Sequence, residues 1–207
     1  EDIDVHQATA ALIYGREVDD VTKSMRRDAK VVNFGIMYGL GAHGLVSATG
    51  MAYAQAKEFI DKFFEVRPKL QQYIESVKKQ AHDMGYVENI FGRRRPTPDV
   101  KSSNFMVRES AYRAAVNMPF QGSAADIMKK AMINIQQKLD ELTVTSKQSA
   151  DNQYRMLLQI HDSVIVECPE KSAKAVSKLI KDTMENVIKL PIKLTVDTSI
   201  GKTWGEL

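Results

Sequence analysis

The chain has 207 residues, 43% of them hydrophobic and 27% charged, enough for one sizeable domain or two lobes sharing a core. A net charge of +3 is too small to indicate nucleic-acid binding by itself, and no apolar run approaches the roughly 18 residues of a membrane-spanning helix. Cys168 is the single cysteine, which rules out an internal disulfide or a multi-cysteine zinc site and points to a reducing, intracellular setting. The acidic start, Glu1-Asp2-Ile3-Asp4, carries no basic-then-apolar signal pattern.

The first half reads as helices. Residues 5–14 form a short helical run ended by Gly15, and Thr22 is a candidate N-cap for a second helix running to about Met37, stopped near Gly39 and Gly41. Residues 52–66 repeat apolar side chains at helical spacing (Phe59, Ile60, Phe63, Phe64). Pro68 suits the first turn of a further helix reaching about Met84, with Gly85 as its stop. Residues 86–90 resemble a short strand and 92–98 a basic turn. A long helical stretch covers about 103–142, with an interruption expected at Met118-Pro119 because proline removes a helical hydrogen bond. Residues 143–152 read as a polar loop. The texture then changes: 154–160 and 163–168 are strand-like and separated only by His161-Asp162, which predicts a hairpin. Residues 171–188 suit an amphipathic helix and 192–200 a last strand. The class is α+β, a helical lobe over residues 1–92 followed by a lobe over 93–207 with an antiparallel sheet.

Three features carry chemistry. Arg26, Lys30, Phe34 and Tyr38 recur every four residues on the second helix, so each step advances only about 40° and the four form a slanting row roughly 18 Å long. The row runs cation, cation, ring, ring, the order of phosphates, sugar and base in a nucleoside triphosphate. Spacing alone favours an ordinary helix with two core residues and two surface cations, because i,i+4 patterns are common. Gly35 and Gly39 stand where glycine costs about 1 kcal/mol against alanine, which suggests that something approaches closely there.

Second, six basic residues (Arg93, Arg94, Arg95, Lys101, Arg108, Arg113) face two acidic ones (Asp99, Glu109) between positions 93 and 113, an excess suited to phosphates or to a solvated face. Third, Asp162 lies at a tight turn between apolar strands. A rigid hairpin can fix a carboxylate for magnesium, with Glu167 as a weaker candidate, although aspartate is also an ordinary turn residue.

Taken together these segments resemble a known family. RRDAKVVNFGIMYGL, holding Arg26, Lys30, Phe34, Tyr38 and Gly39, is similar to motif B of family A (polymerase I-like) DNA polymerases, the nucleotide-binding helix of the fingers. IHDSVIVE at 160–167 is similar to their motif C, a palm hairpin, and GRRRPTPDVKSSN with RAAVNMPFQGSAADIMKKAMI resembles the segment that tracks the primer-template duplex. The likeness covers essentially the whole chain, in the family's order. It implies a fingers-like lobe over 1–92 and a palm-like lobe over 93–207. It implies that Arg26 and Lys30 bind the triphosphate of a dNTP with help from His6, that Phe34 lies against the sugar, and that Tyr38 packs near the template base. Arg113, Asn117 and Gln121 would reach the duplex minor groove, with Arg108 in the same DNA-binding set. His161 would contact the primer terminus. Asp162 would hold catalytic metal in a two-magnesium site, for attack of a primer 3′-hydroxyl on the dNTP α-phosphate. The implied partners are primer-template DNA, dNTPs and an N-terminal part of the polymerase, with no membrane; the implied location is the cytoplasm beside the nucleoid, or a virus-infected cell.

Two departures qualify the match. The family's motif A, with a second essential aspartate, normally precedes DVHQATAA and is not in this sequence, so the chain alone is expected to be inactive. Motif C usually reads His-Asp-Glu, and here Ser163 follows Asp162. His-Asp-Ser also resembles phage-type single-subunit RNA polymerases, whose motif B usually lacks the Asn33-Phe34-Gly35 run. A non-catalytic duplex-binding module on the same scaffold is the alternative from another class.

Overall fold

Caps decide where the N-terminal helices begin and end. In the computed structural model, which describes residues 4–145 and 154–207, α1 spans Val5–Tyr14. The Asp4 carboxylate accepts from the His6 and Gln7 amides at its start, and Gly15 closes it in the left-handed region at φ 59°. Helix α2 spans Lys23–Met37 and begins with Thr22 Oγ1 accepting from the Met25 amide. It ends in a Schellman motif: Leu40 N donates to Gly35 O at 2.7 Å, Gly39 N donates to Ile36 O at 3.0 Å, and Gly39 sits at φ 83°.

Helix α3, Ala42–Thr49, follows, a helix that the sequence reading passes over because eight residues between glycines carry little periodic signal. Helix α4 spans Tyr53–Glu65 and α5 spans Pro68–Met84, with the proline in the first turn as expected. Strands β1, Tyr86–Glu88, and β2, Arg94–Pro96, pair antiparallel with Glu88 opposite Arg94. Part of the predicted basic turn is therefore a strand. Asn89 makes the turn, its Oδ1 accepting from the Phe91 and Arg93 amides.

Helix α6 spans Phe105–Thr145 and runs straight through Pro119, correcting the expected interruption. The missing proline N–H costs roughly 3 kcal/mol. Val116 and Met118, both buried, each return about 1.5–3 kcal/mol by staying in the core. Packing outweighs the local preference. Residues 143–145 are helical rather than looped, and the remainder of that predicted loop lies outside the described residues.

The hairpin is present: β3, Arg155–Ile160, pairs antiparallel with β4, Ser163–Glu167, with an irregularity between Met156 and Leu158. Helix α7 spans Ala173–Glu185. The predicted last strand does not form. Residues 192–200 pair with no strand among the described residues, and Ile192 and Ile200 stay exposed. An alternating segment is a strand only where a ladder partner exists. Val196 N instead donates to Glu185 Oε1 at 3.1 Å.

Two compact units result, Glu1–Gly122 and Ser123–Leu207. The first has two adjoining cores. Val32, Ile36, Leu45, Ala56, Phe59 and Phe63 form one, and Ile74, Val77, Val87, Val100 and Val116 belong to the other. The second unit buries Ile135, Leu139, Tyr154 and Val176 together. Seven α-helices and two two-stranded antiparallel sheets among the described residues make the class α+β, as predicted. No described helix is long and apolar enough to cross a membrane.

Phe63 is 1% exposed, meets Phe64 edge-on at 5.4 Å and carries the Arg67 guanidinium 4.3 Å from its ring centre. Phe63→Ala is expected to cost about 3–5 kcal/mol of unfolding free energy, read as a lowered denaturant midpoint; a loss under 1 kcal/mol would contradict this packing.

Candidate functional site

Helix α2 buries Ala29, Val32, Asn33 and Ile36. Their directions span about 100° of the helix circumference, and the Arg26–Tyr38 row is centred about 130° away from them. The row therefore faces outward. Arg26 and Lys30 are exposed, Phe34 is 39% exposed and Tyr38 is half-buried. The Phe34 and Tyr38 rings stack with centroids 6.1 Å apart and planes 23° from parallel, and the His6 ring from α1 stands 5.5 Å from Phe34. Three of the predicted residues, His6, Phe34 and Tyr38, thus meet in one ring cluster. Lys30 Nζ has no ion pair within 4.0 Å among the described residues, leaving its charge to solvent.

Arg26 is tied. Its Nε donates to Asp4 Oδ2 at 2.6 Å, so one carboxylate both caps α1 and holds the first cation of the row. The Arg26 hydrogen bond, and then the hydrogen bond donated by the Gln7 backbone N–H, hold the Asp4 carboxyl below its ordinary value of 3.8. The Arg26 fork keeps its terminal nitrogens for another oxygen.

The sequence reading missed the residues that brace this row. Asp4 was legible as an N-cap, and Asn33 as a polar residue on the core face of α2 beside Val32 and Ile36. Buried Asn33 donates from Nδ2 to His6 Nδ1 at 3.0 Å and accepts at Oδ1 from Thr9 Oγ1 at 3.0 Å. The suspected close approaches at the glycines are real and come from this chain. A Cβ on Gly35 would stand 2.7 Å from Leu40 Cδ2, and one on Gly39 would stand 2.9 Å from Arg113 Cγ.

That second contact brings Arg113 of α6 beside the end of α2. Arg113, Asn117 and Gln121 share one face of α6 by their spacing; Arg113 and Gln121 are exposed and Asn117 is half-buried. Asn117 Oδ1 is buried and has no hydrogen-bond partner among the described residues. Arg108 reaches back from the first turn of α6, donating to Ser102 O at 2.9 Å beside the Phe105 ring. In the adjacent hairpin Arg94 pairs with Glu88 at 3.2 Å and lies over the Tyr86 ring at 4.4 Å, so part of the basic cluster is structurally engaged.

In the second unit, Ile160 pairs with Ser163, which leaves His161 and Asp162 as a two-residue loop. His161 takes φ 52°, a left-handed conformation uncommon outside glycine, and the Gln159 side-chain amide donates to the His161 carbonyl across the turn. Both loop side chains are exposed. Glu167 lies at the far end of β4, opposite Arg155. No cluster of three or more metal-ligating side chains occurs among the described residues.

The model of DNA polymerase family A matches residues 1–206. The chain belongs to that family. DNA polymerase I of Streptococcus pneumoniae (serotype 4) is 44% identical over 207 residues, covering all of this chain and 23% of that protein. The thermostable DNA polymerase I of Thermus aquaticus is 41% identical over 201 residues, 97% of this chain and 23% of that protein. Among solved structures, the POL domain of Pol1 from M. smegmatis, in complex with DNA primer-template and dNTP, superposes with a TM-score of 0.81 at 36% identity; the match covers 92% of this chain and 32% of that one. The chain therefore spans about a quarter of the curated family A relatives it matches.

Asp4→Asn keeps an N-capping side chain and removes the ion pair. Because the folded carboxyl value is lowered, its contribution is present above the ordinary 3.8 and is lost as pH falls below that toward the lowered value. The variant should melt slightly below the parent at neutral pH, with the gap closing as pH falls below 3.8; no gap at neutral pH, or one that persists unchanged in acid, would count against the Asp4–Arg26 bond.

Proposed function

We propose that this chain supplies the nucleotide-gripping and duplex-tracking parts of a template-directed DNA polymerase, which transfers a nucleotide from a dNTP to a primer 3′-hydroxyl. The observation that carries the reading is the outward row on α2, two exposed cations followed by two stacked rings with His6 beside them. Family membership and the polymerase relatives support it. In this reading residues 1–92 act as fingers and 93–207 as palm.

Arg26 and Lys30 bind and neutralise the triphosphate, Arg26 by its fork and Lys30 as a compact charge. His6 donates a further hydrogen bond to it. Phe34 lies along the sugar and Tyr38 near the templating base, where flat faces favour stacking. Arg108, Arg113, Asn117 and Gln121 hold the duplex. Minor-groove acceptors differ little between base pairs, so such contacts can check pair shape without selecting sequence. His161 contacts the primer end.

The exposed Asp162 carboxylate is a hard oxygen donor on a braced turn, which fits one ligand position of a magnesium site. One carboxylate does not hold two ions, so further ligands come from other parts of the polymerase. Magnesium, when bound, would stabilise charge on the attacking and leaving oxygens. The protein groups position the reactants and compensate the triphosphate charge. Such an enzyme would work inside the cell, at the nucleoid or in a viral replication setting.

Ser163 after Asp162 favours a second reading, a single-subunit RNA polymerase. Single-nucleotide extension by the complete polymerase separates the two: incorporation of dNTPs over rNTPs supports the first, and the reverse preference the second. Duplex binding without extension in magnesium would leave a non-catalytic duplex-binding module.

Lys30→Ala in the complete enzyme is expected to raise the KM for dNTP about tenfold to a hundredfold, the worth of one hydrogen-bonded charge, with duplex affinity nearly unchanged. Arg113→Ala should do the reverse, weakening duplex binding about tenfold in fluorescence anisotropy. Equal effects of both changes on both readouts would mean that the two residues are merely structural.

A further inference from the structure

The His6 ring is reached by a line of hydrogen bonds whose directions are all fixed. At its far end is Arg67, the residue before α5. A guanidinium only donates. Its Nη1 donates to Phe63 O at 3.3 Å and its Nη2 to Thr9 Oγ1 at 3.4 Å. The Thr9 hydroxyl therefore accepts from Arg67 and spends its own proton on Asn33 Oδ1, 3.0 Å away. With Oδ1 occupied, the Asn33 amide turns Nδ2 toward His6 Nδ1 at 3.0 Å and Val5 O at 3.4 Å. A carbonyl can only accept, so Val5 O favours the same amide orientation, through a longer contact than the one to His6. Thr9 and Asn33 are 2% and 3% exposed, which leaves water little room to substitute for any of these partners.

An amide NH₂ against a ring nitrogen requires a lone pair on that nitrogen. We propose that Arg67, Thr9 and Asn33 form a relay that holds His6 as the Nε2–H tautomer, making Arg67 and Asn33 positioning residues for the ring. The opposite tautomer would set two donors against each other in a buried site, a bias of about tenfold or more. Nε2 itself makes no hydrogen bond among the described residues, so its proton is available to an anionic oxygen. The use of that proton on a triphosphate rests on the function proposed above. The tautomer does not.

The chain has four histidines, at 6, 43, 82 and 161, so ring-nitrogen NMR of the histidine-labelled full chain is tractable, with His6 assigned by its loss in His6→Gln. The relay requires the neutral His6 ring to show an unprotonated Nδ1 and a protonated Nε2. A protonated Nδ1, or an even mixture, would overturn it. Asn33→Asp offers only acceptors and should draw the proton to Nδ1, with the other three histidine signals unmoved as the check on folding. Arg67→Met keeps packing over Phe63 but removes the donor, and should shift the ring signals toward the average of the two tautomers; unmoved signals would take Arg67 out of the relay. Contact with nucleotide is read separately. His6→Gln in the complete enzyme should raise the dNTP KM about tenfold with kcat nearly constant. An unchanged KM would remove His6 from the nucleotide site while the tautomer result stands.

Discussion

Ala29, Val32, Asn33 and Ile36 are buried along one side of α2, and that burial dictates which side chains the helix can offer to solvent. A helix has one circumference. Once an arc of about 100° is committed to the core, the row from Arg26 to Tyr38 has to face outward. The Schellman end fixes where the row stops, and the Thr22 cap fixes where the helix starts. The proposed nucleotide grip follows from this packing more than from any single contact.

The polar contacts around α2 refine what the packing sets. Asp4 begins α1 and ties Arg26, so the helix that carries His6 and the helix that carries the row are joined at their charged ends. Isolated surface ion pairs contribute about 0–1 kcal/mol, too little to hold two helices together. The buried Asn33 network therefore matters more for geometry, because a mispaired buried amide costs about 1–3 kcal/mol and admits one arrangement. At the other end of α2, Gly39 lets the Arg113 stem lie against the turn. In the proposed function, the residue after the template-side ring thus touches a residue on the duplex-binding face.

Much of this was legible in the residues. Thr22, Pro68 and the glycines marked α1, α2 and α5 closely, because their signals are local: Thr22 accepts an amide, Pro68 sits in a first turn, and Gly15, Gly39 and Gly85 take positive φ. The His161-Asp162 hairpin was legible for the same reason. The misses came where distant packing decides. Pro119 stays in α6 because its neighbours are buried, and 192–200 stays unpaired for want of a partner strand among the described residues. Asn33 showed the same limit. Its letter was visible, but its bonds to Thr9 and His6 depend on α1 lying beside α2.

The central claim is that the outward row on α2 is a triphosphate-binding surface. Titrating the ¹⁵N-labelled chain with a dNTP and magnesium while following amide and side-chain shifts tests it directly. Shifts that saturate together at His6, Arg26, Lys30, Phe34 and Tyr38, and that an uncharged nucleoside does not reproduce, are the predicted result. Saturable shifts elsewhere, with this row unmoved, would contradict the account.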